Sequence, residues 1–90
     1  MQYVISYDQH RDRDYTPVWN QLNSWGAKRV LESVWLLTSA LTADQIRDQL
    51  MAITRKEDSL LVIELKPASN WGTYQAQAAG VQWLRQNIAA

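Results

Sequence analysis

The stretch Ser59-Leu60-Leu61-Val62-Ile63-Glu64-Leu65 most limits what this chain can fold into. It is apolar on both alternate sets, Leu61, Ile63 and Leu65 on one and Leu60 and Val62 on the other. Side chains alternate across a strand, so a strand of this kind has two faces to keep from water and is usually covered on both. The fold must therefore supply packing above and below its sheet. The opening run Tyr3-Val4-Ile5-Ser6-Tyr7 is also rich in β-branched and aromatic residues and reads as a second such strand.

The intervening chain supplies helices. Asp14 or Thr16 can cap one, with Pro17 suited to its first turn. Val18, Trp19, Leu22 and Trp25 then share a helical face, and Gly26 is a natural stop, which predicts a helix over 16–25. The β-type run from Lys28 to Ser39 is longer than the ~5–6 residues of an ordinary strand, so two strands are expected, broken or bulged near Glu32-Ser33. Thr42 with Gln45 three residues on forms a capping box, opening a helix over 43–54 with Ile46, Leu50 and Ile53 as its stripe. Pro67-Ala68-Ser69-Asn70 ends the sheet. The tail from about Gly72 to Ile88 reads as a third helix, with Tyr74, Gln77, Val81, Leu84 and Ile88 along one side.

The order β-α-β-β-α-β plus a C-terminal helix predicts an α+β, ferredoxin-like fold over residues 1–66, with an antiparallel four-stranded sheet. Residues 67–90 are expected to form a helical extension packed on the same domain or on a dimer partner. Two helices on one face leave the other bare, so a second copy or the terminal helix must cover it. Ninety residues make a small domain, for which association is a natural supplement. Five tryptophans and four tyrosines without a phenylalanine suit an interface, because these rings join apolar area to a polar handle.

Composition excludes some chemistry. With no cysteine there is no disulfide, no Cys-ligated zinc and no thiol nucleophile. No apolar run approaches the ~20 residues of a membrane span, and Met1 leads into a strand without a signal-like segment, so a cytoplasmic protein is expected. Nine basic and nine acidic residues cancel, so nucleic-acid binding would rest on a local basic patch.

Such a patch, and the densest chemistry in the chain, follows the first strand. Asp8, Asp12, Asp14, Arg11, Arg13 and the single histidine, His10, are crowded into one loop. Asp8, His10 and Asp12 alternate, so an extended loop would aim them one way, as Mg²⁺ or Mn²⁺ ligands; a solvated turn explains them equally. Arg11, Arg13, Lys28 and Arg29 would form a basic strip for phosphates, or else a solvated surface paired with Asp12, Asp14 and Glu32. Trp19, Trp25 and Trp35 occupy apolar positions and are read as core.

Tyr7-Asp8 ending the first strand, Gly26 after the first helix, Arg29-Val30 opening the second strand and Ser33-Val34-Trp35 opening the third resemble the Cas2 family, with its VapD-type relatives. The resemblance covers about residues 2–65. It implies a ferredoxin-like homodimer formed through the open sheet face, with Asp8 near its counterpart at the dimer axis. There Asp8 would hold Mg²⁺ or Mn²⁺ and act as the catalytic residue of a metal-dependent endonuclease on DNA or RNA. A Cas1-like integrase would be the protein partner in CRISPR adaptation. The loop Gln9-His10-Arg11-Asp12-Arg13-Asp14 departs from the family pattern in where its arginines fall. The other expectation is a non-catalytic homodimeric interaction module in which Asp8 is structural.

Overall fold

The computed structural model describes residues 1–8, 10, 14–54 and 58–88. The elements are β1 (Gln2–Tyr7), α1 (Thr16–Ser24), β2 (Lys28–Leu31), β3 (Val34–Thr38), α2 (Ala43–Met51), β4 (Leu60–Leu65) and α3 (Ala78–Asn87). The strands form one antiparallel sheet in the order β2-β3-β1-β4. β1 is therefore interior, with Ile5 opposite Trp35 of β3 and Val62 of β4. The β-type run divides at Glu32-Ser33, and a register shift between Arg29 and Leu31 bends β2.

Local signals account for the helix ends. Asp14 Oδ1 accepts the Thr16 amide at 2.9 Å, with Pro17 in the first turn of α1. Gly26, at φ +79°, closes that helix: its amide reaches the Asn23 carbonyl and the Ala27 amide reaches that of Leu22, both at 3.0 Å. A left-handed residue placed this way satisfies the last carbonyls of the helix. The capping box of α2 is complete, with the Gln45 amide on Thr42 Oγ1 and the Thr42 amide on Gln45 Oε1. The Tyr3 hydroxyl donates to the Leu41 carbonyl at 2.6 Å, tying β1 to the entry of α2. Burial raises the pKa of this phenol, and the nearby Glu64 carboxylate adds to the effect.

Alternation along β1 divides the interior in two. Tyr3, Ile5 and Tyr7 face α1 and α2, joining Leu22, Trp35, Leu37, Ile46 and Leu50 in the larger core. Val4 faces the other way, towards a smaller core of Val30, Leu36, Trp83, Leu84 and Ile88. α3 supplies Trp83 and Leu84, with Ile88 just beyond its end, and packs over β2 and β3. An apolar cavity of about 320 Å³ remains between this helix, the sheet and the chain leading into it, lined by Val4, Leu65, Trp71 and Tyr74 among others.

The terminal helix is shorter than its sequence suggests. Residues 72–77 are not helical, and Tyr74, expected on the helix face, is 84% exposed. The Gln77 amide donates to the Val30 carbonyl at 2.9 Å, so the chain is pinned to β2 before the helix can begin. Gln75 has φ +53°, which is incompatible with a helix running through it. α2 also stops early, at Met51 instead of Thr54.

Gly80 sets how closely α3 approaches the sheet. A Cβ at this buried position would collide with Val30 Cα and Cβ and stand 2.7 Å from the Arg29 carbonyl. Those are backbone atoms or are fixed directly to the backbone, so they cannot swing aside. Gly80→Ala should gain about 1 kcal/mol of helix propensity and lose about 1–3 kcal/mol to overpacking. A lower urea midpoint is expected; an unchanged or raised midpoint would mean that α3 is not seated at this distance.

Candidate functional site

Asp8 follows directly on β1, and its main chain is held from two sides. Its amide donates to the Ser59 carbonyl at 3.1 Å, and its carbonyl accepts the Tyr15 hydroxyl at 2.8 Å. That hydroxyl also accepts the His10 amide at 2.8 Å, so one buried phenol holds the main chain at both Asp8 and His10. Tyr15 in turn stacks on Tyr7, with centroids 5.3 Å apart. The Tyr7 hydroxyl accepts the indole N–H of Trp19 at 2.7 Å and that of Trp35 at 3.4 Å. Each ring buries its area while its polar atom finds a partner, as buried tyrosine and tryptophan require.

Asp8 is thus fixed in its backbone and exposed in its side chain. It lines a shallow depression with Ser6, Ser59 and Leu61. Close by, the half-exposed His10 has Nε2 4.0 Å from Oδ1 of the nearly buried Asp58 side chain. Asp58 lies just before β4, and pairing of β4 with β1 is what brings it here. Arg11, Asp12 and Arg13 lie outside the described residues, as does the three-ligand arrangement that would include Asp12. Among the described residues, no group of three or more His, Asp or Glu side chains is placed to hold a metal ion.

Lys28 and Arg29 are not beside Asp8. They lie on β2, the opposite edge of the sheet from β4 and separated from β1 by β3. Arg29 packs over both the Trp19 ring, 4.7 Å from its centroid, and the Trp35 ring, at 4.5 Å. Trp19 and Trp35 have their expected core role, with the added task of seating this cation. Sequence reasoning missed Tyr15 and Asp58. Tyr15 is hidden beside a charged run, and for Asp58 the available signal was an acid immediately preceding a strand apolar on both faces.

No protein-family model matches the chain, and no solved structure matches it significantly.

The remaining feature around Asp8 is apolar. α3 covers the β2–β3 part of the second sheet face and leaves the β4 edge open. There Leu61 is 55% and Ile63 46% exposed, both on the face away from α1 and α2. Leu61 also lines the Asp8 depression, so the uncovered apolar edge and the exposed carboxylate are contiguous. No helix among the described residues is long and apolar enough to cross a membrane.

Proposed function

We propose that this chain is a Cas2-like protein with a ferredoxin-like fold, and that it acts as a homodimer in association with nucleic acid. The strand order β2-β3-β1-β4, with α1 and α2 on one face, supports the fold reading. The observation that carries the functional reading is that Asp8 and Leu61 of the open β4 edge line one depression. A second copy seated on Leu61 and Ile63 removes their exposed apolar area from water, the main gain available to an interface. The same packing brings two copies of Asp8 towards one another. Two carboxylates held close repel, and a divalent cation relieves the repulsion.

Among the described residues, Asp8 is the one carboxylate lining this depression, so in this reading both copies supply the donors for Mg²⁺ or Mn²⁺, whose preference for hard oxygen suits the pair. When bound, the ion would supply a Lewis acid and an activated water for attack on a phosphodiester. The second reading keeps the homodimer and makes it a non-catalytic interaction module. It is favoured by the way the Asp8 main chain, bonded at both amide and carbonyl, serves the fold directly.

Sedimentation should give twice the 10.4 kDa chain mass at micromolar concentration. Leu61→Lys should yield a folded monomer, because this side chain already faces solvent within one chain. A wild-type monomer would sink the dimer.

Asp8→Asn separates the two functional readings. With a shared ion, Mn²⁺ raises the melting temperature of wild type and not of Asp8→Asn, and metal-dependent cleavage is lost while the dimer persists. If Mn²⁺ shifts neither melt and wild type cleaves neither DNA nor RNA, the interaction module stands and the enzyme does not.

A further inference from the structure

The geometry points to a phosphoryl-binding site at the β2 edge of the sheet, where Arg29 and Lys28 line an open cleft of about 430 Å³ with Trp19, Trp35, Asn23 and Gln77. This site lies across β3 from Asp8 and does not depend on the dimer or on any nuclease activity.

The first support is an uncompensated cation. Arg29 lies over two indole rings, which fix the plane of its guanidinium without neutralising it. Its Nε is buried and has no hydrogen-bond partner. Among the described residues the basic side chains within 4.0 Å of a carboxylate are His10, Arg47 and Lys66, and neither Arg29 nor Lys28 has an acidic partner. Taking a cation partly out of water without a counter-charge is unfavourable, and a bound oxyanion reverses that. A guanidinium held in one plane is also ready to engage oxyanions through its remaining N–H groups.

The second support comes from the other side of the cleft. α3, ten residues long, begins here, and Gln77 makes no side-chain cap to its first turn. The Gly80 and Val81 amides both return to the Gln77 carbonyl. Among the described residues, this leaves the Ala78 and Ala79 amides as orphan donors of the helix N-terminus, and Ala79 lines the cleft. Unsatisfied amides at a helix start favour an anion. Arg29, Lys28 and Ala79 all line this cleft, so a guanidinium, an ammonium and the start of α3 meet at one edge of the sheet, a donor set that suits the several oxygens of a phosphoryl group. The Asn23 and Gln77 side chains add neutral donors.

The test is an NMR titration that follows the Trp19 and Trp35 indole N–H signals and the Ala78 and Ala79 amides at constant ionic strength. Inorganic phosphate and adenosine 5′-monophosphate should each shift all four saturably, whereas adenosine and chloride should not. Lys28→Gln alters an exposed side chain and should weaken binding about tenfold with an unchanged fold. No saturable shift with either phosphate compound overturns the site, as does binding undiminished in Lys28→Gln. Single-stranded oligonucleotides with and without a 5′ phosphate distinguish the sources. Equal binding assigns the site to backbone phosphodiesters, and dependence on the 5′ group assigns it to terminal monoesters; either supports a phosphoryl site.

Discussion

β1 is hydrogen-bonded on both edges and carries apolar side chains on both faces, so everything else in the molecule is placed by the need to cover it. Tyr3, Ile5 and Tyr7 demand one layer and Val4 another. α1 and α2 supply the first layer. The second has α3 together with Trp71 and Ala76 from the chain leading into it. The fold resolves this by seating α3 tightly over β2 and β3, through Gly80, and leaving β4 open. An uneven second layer follows from a short chain that must protect two faces.

The first layer has its own internal order. Tyr7 is both a core ring and an acceptor for two indoles, and Tyr15, stacked on it, carries the hydrogen bonds that hold the main chain at Asp8 and His10. Trp19 and Trp35 also seat Arg29. One aromatic group therefore links the Asp8 end of the sheet to the β2 edge, and explains the use of tyrosine and tryptophan where phenylalanine would serve a plain core. The two candidate sites share support yet remain separate in space.

Much of this was legible wherever the signal was local. The Thr42–Gln45 capping box and the Gly26 stop each act within one helical turn, and both appear where they were expected. Alternation marked the strands, although it could not say which parity of β1 faces the helices. The start of α3 was not legible, because it is set by the Gln77 amide binding Val30, a contact between segments distant in sequence. Gly80 likewise reads as a helix breaker, while its value lies in how close it lets β2 come. Lys28 and Arg29 were grouped with the Asp8 loop by charge alone; strand order places them at the opposite edge. At Asp8 the strand-end position was legible, but its anchoring by Tyr15 and the depression it shares with Leu61 arise only in three dimensions.

The central claim is that the second sheet face has two halves, one closed by α3 and one open to a second copy of the chain. Methyl NMR spectra recorded across a dilution series test both halves together. The account predicts that the Leu61 and Ile63 methyl signals shift with protein concentration while those of Val30, Leu84 and Ile88 stay fixed. Concentration-independent Leu61 and Ile63 signals across a micromolar range, or shifts confined to the α3 side, would contradict it.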